Sequence, residues 1–284
     1  MINRDVNILI VGLGLIGGSY ARALTKKGFS VSAITRSQET IDYALQEKII
    51  KKGFAYVDEE TVREADLIVF SLYPRVFKNW IKEYQHLFKS GAILTDVTGV
   101  KKSIVYAIQE MLRPDVEFIA AHPMAGKEVY GVKNSDDKIF YGANYIVVPT
   151  EKNTPRAIKE CEDLGILLGF AKISRLTPEQ HDEMIGFLSQ LTHCIAVTLM
   201  TCNDNPELAN YTGDSFRDLT RIARINDEMW SELFLLNKES LLKEMEAFEK
   251  EFDRLKNMIK NDDIEGMRET MRLSTKRRAL FDKK

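Results

Sequence analysis

Residues 6–19 read VNILIVGLGLIGGS, an apolar run of strand length that closes on glycines at 12, 14 and 17. Few folds tolerate three glycines at that spacing directly after a buried strand. Gly12 permits a tight turn, Gly14 lets a pyrophosphate approach the bare backbone, and Gly17 lets the following helix pack close to the strand. The phosphates then lie on the helix N-terminus, where the N–H groups of residues such as Leu15 and Ile16 have no intrahelical partner. The context fits: helical spacing follows in YARALTKKG, and a second apolar run, SVSAIT, ends about 20 residues on. The segment is expected to bind a dinucleotide.

The same alternation of periods continues along the chain. Strand-length runs DLIVFSL, GAILTDV, EFIAAHP and NYIVVPT are separated by helical segments such as RVFKNWIKEYQHLF and KKSIVYAIQEML. Near-continuous Val, Ile and Ala in the strands implies a mostly parallel sheet covered on both faces. From about Ile173 the strand pattern stops. TPEQHDEMIGFLSQLTHCIAVTLMTC opens with Thr177 as N-cap and Pro178 at the first helical position and reads as one long helix. NDEMWSELFLLNKESLLKEMEAFEKEFDRLKNMI reads as a second and IEGMRETMRLSTKRRALF as a third. The expected fold class is α/β: a Rossmann-type dinucleotide-binding domain over 1–172, then an all-α domain over 173–284 for substrate binding. Its helices carry more apolar residues than a thin coat needs, which implies burial in a homodimer.

Composition narrows the function classes. The chain has 284 residues, 44% hydrophobic and 29% charged, with a formal net charge of -2. It reads as a soluble protein without the run of about 18 apolar residues that a membrane span needs. The N-terminus enters a strand pattern at once rather than in signal-peptide order, which points to the cytoplasm. Cys161, Cys194 and Cys202 lack CxxC spacing and read as packing residues rather than metal ligands. The net charge gives no reason to expect nucleic acid or an anionic membrane as partner, and KRR at 276–278 reads as a solvated helix face. A small molecule is the expected partner.

The end of the second strand bears on the cofactor. A carboxylate there would bind the adenosine ribose and repel a 2′-phosphate. The chain instead reads AITRSQ, placing Thr35, Arg36 and Ser37 at that point. A guanidinium beside a hydroxyl suits a 2′-phosphate, so NADP is preferred; Arg36 stacked on adenine would allow NAD as well. Three later strand ends share the expected ligand rim: SLYPR, placing Ser71, Leu72 and Tyr73 against the cofactor, TDVTGVKK from Thr95, and AAHPMAG at His122. An imidazole there is suited to take a proton from a hydroxyl as hydride leaves the same carbon. Considered alone, a strand-end histidine before proline is a structural cap at least as often.

GLGLIGGS at 12–19, Asp96 with Val100 and Lys101 in DVTGVK, HPMAGKEVYGV from His122, the HD of His181 and Asp182, LTHCIA around His193, and FRDLTRIA leading to MWSELF together resemble the prephenate and arogenate dehydrogenase family. The resemblance implies oxidative decarboxylation: hydride passes from the hydroxyl-bearing ring carbon to a nicotinamide, the ring carboxylate leaves as carbon dioxide, and the ring becomes aromatic. It implies that His122 accepts the hydroxyl proton, that Arg221 pairs with a substrate carboxylate with Asp218 orienting it, that His193 lies near the substrate side chain, and that Trp230 forms the pocket edge. The chain departs from the pattern at three places. Gly99 stands where some members carry serine, so a hydroxyl there must come from Thr98, from water or not at all. Lys127 replaces a common threonine and can bring a cation to the pocket mouth. Gln190 stands where some relatives have a second histidine, and its amide suits an ammonium or a keto group, so prephenate and arogenate both remain open. Two rivals are an NADP-linked dehydrogenase of small hydroxy acids using Lys101 or Lys127, and a non-catalytic sensor of the nicotinamide ratio.

Overall fold

The computed structural model describes residues 2–282. Strand β1 (Asn7–Val11) leads into helix α1 (Leu15–Lys26), and β2 (Ser30–Ile34) into α2 (Gln38–Gln46). After β3 (Lys52–Phe54) and α3 (Glu59–Glu64) come β4 (Leu67–Phe70), α4 (Pro74–Tyr84), β5 (Ile93–Asp96), α5 (Lys102–Met111) and β6 (Glu117–Phe118). These six strands form one sheet in the order β3-β2-β1-β4-β5-β6. Every pairing in it is parallel.

Both faces of this sheet are covered, as the near-continuous apolar strands imply. Successive side chains of a strand point to opposite faces, so Ile8 and Ile10 join one core with Tyr20 and Leu24 of α1, while Leu9 and Val11 join a second with Phe77 of α4 and Ile104 of α5. The expected fold class, a mostly parallel Rossmann-type sheet followed by helices, is what the chain forms.

EFIAAHP, expected as one strand, divides at Ile119. Ile119 N still donates to Leu94 O at 2.9 Å, but the next donor on that edge, Ala121 N, goes to the side-chain Oδ1 of Asp96 at 3.1 Å. The carboxylate takes the place of the next rung, and the chain leaves the sheet as β7 (Ala120–Pro123). With β8 (Asn144–Val148) and β9 (Lys172–Arg175), β7 builds a separate three-stranded sheet. In it β7 and β8 are antiparallel, β8 and β9 parallel. Strand structure therefore persists past Ile173, because β9 has β8 to pair with. The fourteen-residue helix α6 (Pro155–Leu168) joins β8 to β9 and buries Cys161 and Leu164 in the α1-side core.

From Thr177 onward the chain is helical: α7 (Pro178–Ile185), a π-turn over Gly186–Leu191, α8 (Thr192–Thr201), α9 (Asp214–Thr220), α10 (Asp227–Leu236), α11 (Lys238–Lys260) and α12 (Ile264–Arg278). Thr177 and Gln180 cap α7 reciprocally as a capping box, as the sequence leads one to expect. The expected long second helix divides at Asn237, which caps α10. Residues up to Asn237 make one compact unit and those from Lys238 a second. Contrary to the expectation from composition, Pro178–Thr201 is long and apolar enough to cross a membrane by length and composition alone, and 28% of its apolar window is buried. Cys202 is exposed at the end of α8 rather than packed.

Candidate active site

Val11, Phe70 and Asp96 stand in register across β1, β4 and β5, so the carboxyl ends of these strands form one rim. On the first of them sits the glycine turn. Gly12 has φ +96°, and a Cβ there would lie 2.3 Å from Ser71 O. One on Gly17 would lie 2.0 Å from Gly12 O. Gly14 differs: nothing stands within 4 Å of where its Cβ would be. It is the N-cap of α1, with no side-chain cap and no acid in the first turn of the helix. An uncapped N-terminus under a bare, open backbone fits a pyrophosphate, with Leu15 and Ile16 supplying free N–H groups. Leu72 packs against the turn, its Cδ2 2.9 Å from the Cβ position of Gly12.

The other expected cofactor residues are placed less simply. Thr35 N donates to Phe54 O at 3.1 Å, which fixes the end of β2, and Arg36 is exposed beyond it. Ser37 caps α2, its Oγ accepting from Thr40 N at 3.2 Å, which leaves its O–H free to donate to a ligand. Tyr73 Oη accepts from Asn226 Nδ2 at 3.0 Å and so ties the rim to the helical segment.

At the end of β5 lies a buried charge network. Asp96 and Lys101 are fully buried and paired, Nζ to Oδ2 2.7 Å. The Thr98 hydroxyl contacts Asp96 Oδ2 and Val100 O and accepts from Lys101 Nζ at 3.1 Å. It is thus engaged internally, which closes the option that Thr98 supplies a hydroxyl to the pocket. Burial pushes the Lys101 ammonium below its ordinary value, and Asp96 opposes that shift. A lysine so enclosed cannot serve as the acid or base of a hydroxy-acid dehydrogenase.

Asp96 also holds Ala121, and the next residue is His122. His122 Nδ1 lies 2.9 Å from His181 Nε2, and His181 Nδ1 lies 2.7 Å from Asp182 Oδ1. The Asp182 carboxylate in turn accepts from Lys101 N at 2.7 Å and Lys102 N at 2.9 Å, capping α5 and its positive dipole end. The proton positions follow from the chain of partners. A carboxylate only accepts, so His181 Nδ1 carries a proton and neutral His181 presents a lone pair at Nε2. His122 must then donate from Nδ1, which leaves its Nε2 as a free base. Burial pushes the His122 imidazolium well below its ordinary range, and His181 and Lys101 add to the effect. Burial likewise lowers His181, against the pull of Asp182. The pair is neutral and ready to take a proton.

The expected substrate residues divide into two groups. His193 Nδ1 donates to Ser189 O at 2.8 Å, and its ring stacks on Trp230 with centroids 3.7 Å apart. Its shift is downward through burial, with Glu128 and Arg221 as charged neighbours. His193, Trp230 and Arg221 are therefore brought together. Arg221 pairs with Glu128, six positions beyond His122, rather than with Asp218, which is exposed. Lys127 is exposed as well. Gln190, expected to read the substrate side chain, is buried: its Nε2 donates to Leu233 O at 3.0 Å and its Oε1 accepts from Asn237 at 2.8 Å. Both ends of the amide are engaged within the fold, so that expectation is corrected.

Sequence reasoning quoted His181, Asp182 and Asp96 as motif members without roles, gave Lys101 one only in the rival hydroxy-acid reading, and overlooked Asn237. A signal existed for Asp96, an acid closing an otherwise apolar strand run. None existed for Asn237, which sits in a segment that reads as continuous helix.

A phosphate cradle at the end of β1 and a neutral imidazole base on β7, the strand that Asp96 ties to the end of β5, place the chain in the class of dinucleotide-dependent oxidoreductases. Two family models match, the nucleotide-binding domain of prephenate dehydrogenase over residues 20–169 and its dimerization domain over 177–273. Prephenate dehydrogenase of Bacillus subtilis is 28% identical over 92% of this chain and 72% of its own length. Cyclohexadienyl dehydrogenase of Zymomonas mobilis is 29% identical over 96% of this chain and 94% of its own. The crystal structure of the A. aeolicus prephenate dehydrogenase with hydroxyphenyl propionate and NAD+ is 30% identical, covers 99% of this chain and all of that one, and superposes with a TM-score of 0.90. The chain belongs to the prephenate dehydrogenase family, and it is a dehydrogenase.

Proposed function

We propose that the enzyme oxidatively decarboxylates prephenate to 4-hydroxyphenylpyruvate, or arogenate to tyrosine, in the cytoplasm, with NADP preferred over NAD. Residues 1–172 hold the dinucleotide, and residues 173–284 supply the substrate side and the contact of a homodimer. The observation that carries the chemistry is the Asp182–His181–His122 relay, which leaves one free imidazole nitrogen at the sheet rim.

The nicotinamide, when bound, accepts hydride from the hydroxyl-bearing carbon. His122 Nε2 accepts the proton of the same hydroxyl, and its positive charge is then shared through Nδ1–H with His181, whose own Nδ1–H is held by Asp182. Withdrawing the proton strengthens the push on the departing hydride. Loss of carbon dioxide and aromatisation make the step effectively irreversible. Arg221 holds a substrate carboxylate by its planar fork, taking it in exchange for Glu128. His193, fixed by Ser189 O and Trp230, lines the pocket with its Nε2 lone pair. Arg36 and the Ser37 hydroxyl meet the 2′-phosphate, while Ser71, Leu72 and Tyr73 floor the cofactor channel.

Exposed apolar side chains support the dimer. Phe187 and Leu188 of the π-turn are exposed at 53% and 45%, and in the second unit Phe252 and Ile259 of α11 are each 60% exposed. Light scattering on the full chain should give about twice the 32.5 kDa of the monomer; a monomer at micromolar concentration would remove this part of the reading. A steady-state assay crossing prephenate and arogenate with NAD and NADP tests the chemistry. Turnover with NADP and either acid is expected. Dinucleotide binding without turnover on any pair would restore the sensor reading.

A further inference from the structure

Helices α7 and α8 run on as one rod, interrupted only by the π-turn Gly186–Leu191. An α-helix turns about 100° per residue, so His181 and His193, twelve positions apart, would point about 120° apart on an unbroken one. A π-turn takes up about one extra residue, which brings the two to within about 20°. The same insertion carries Gln190 from about 80° off Asp182 to about 20°, and one side chain bridges the two positions. Asn237 Nδ2 donates to both: to Asp182 O at 2.8 Å and to Gln190 Oε1 at 2.8 Å.

A π-turn is rare because its hydrogen bonding is poorer than that of an α-turn, and it persists where the surroundings hold it. Here side chains hold it from two sides. The Ser189 carbonyl accepts from Thr192 Oγ1 at 2.7 Å and from His193 Nδ1 at 2.8 Å. Gln190, 1% exposed, and Asn237, 5% exposed, lock the turn from the other side, Gln190 reaching on to Leu233 O. Both ends of the Gln190 amide and the Nδ2 of Asn237 are thus engaged within the fold.

We propose that Gln190 and Asn237 form a positioning clamp: they fix the π-turn, and the turn sets both the Asp182–His181 end of the proton relay and His193 onto one face of the site. Gln190 thereby has a role, though not the substrate-reading one that its place in the sequence suggested. The inference rests on the dehydrogenase reading above for its kinetic arm but not for its spectroscopic one.

The test compares Gln190→Leu and Asn237→Ser with Gln190→His, whose ring can accept from Asn237 at one nitrogen and donate to Leu233 O from the other. Ring 15N signals of the four histidines, followed against pH in the free enzyme, report the relay without any substrate. His122 faces His181 and Lys101. In the Leu and Ser variants its midpoint should rise toward the ordinary histidine value, and the tautomer signature of Nδ1–H facing His181 should be lost. Turnover should fall about ten- to a hundredfold, the scale of a misplaced catalytic group, with dinucleotide affinity unchanged. Gln190→His should stay close to the wild type in both readouts. A lower melting temperature with the histidine titrations and turnover unaltered in Gln190→Leu and Asn237→Ser would overturn the clamp. If one of these variants fails to fold, the other carries the same comparison. A wild-type enzyme inactive on both acids, with the titration shift still present in the variants, would count against the proposed reaction and leave the clamp standing.

Discussion

His181 donates its Nδ1–H to Asp182, so its Nε2 can only accept, and this decides which nitrogen of His122 meets the substrate. His122→Ala should lower turnover by roughly two to four orders of magnitude with little change in dinucleotide affinity, and a steady-state comparison checks it. Because burial lowers the His122 midpoint from 6.5, the neutral, competent form persists at acid pH. The acid limb of the kcat/KM profile should therefore lie below pH 6.5. The same shift bears on stability. Between the folded and unfolded midpoints the unfolded chain binds more protons, so stability is full above about pH 6.5 and declines as pH falls toward the lowered folded values of His122 and His181. Urea unfolding at a series of pH values should show a falling midpoint over that window; a flat profile would contradict neutral burial. Arg221→Ala should raise the Michaelis constant more than it lowers turnover. His122 was singled out by its place at a strand end on the expected ligand rim, whereas His193 and Arg221 were singled out only through the family resemblance. The partners Glu128 and His181 were not legible as such, since a pairing across the fold leaves no trace in spacing.

Elements were most legible where burial is most complete. Strands covered on both faces are near-continuously apolar, so β1 from Ile8 and β4 appear as unbroken runs, while β2 carries half-buried Ser30 and Ser32 and β5 ends on Thr95 and Asp96. The division of EFIAAHP at Ile119 was not legible, because its cause is the Asp96 side chain on a different strand. The π-turn was hidden for a related reason: GFLSQL has ordinary helical composition, and what holds it lies on α10 and at Asn237. The glycine turn allows a contrast between neighbours. Gly17→Ala places a Cβ 2.0 Å from Gly12 O and should cost fold stability, whereas Gly14→Ala meets open space and should leave the melting temperature unchanged while weakening dinucleotide binding. Isothermal titration and thermal unfolding of the two variants check this together. At the head of α5, Asp182→Ala removes acceptors for Lys101 N, Lys102 N and His181. A loss of about 2–3 kcal/mol by urea denaturation is expected for hydrogen bonds to a buried charged group.

At the scale of the whole molecule the fold class was read correctly in outline, with a parallel sheet first and helices after. Its details followed pairings that composition does not carry, such as β9 beside β8 past the point where the strand pattern fades. Lys101→Met would leave Asp96 buried without its cation and should cost about 3–5 kcal/mol, measurable by denaturant unfolding. Asp96 has a wider importance. The glycine turn belongs to the six-stranded sheet and His122 to the three-stranded one, and Asp96 joins the two where the ladder of backbone bonds stops. Selection on working temperature thus has a seam to act on: substitutions around Asp96, Thr98 and Lys101 can stiffen or loosen the register between cofactor and base while every ligand-contacting side chain stays as it is.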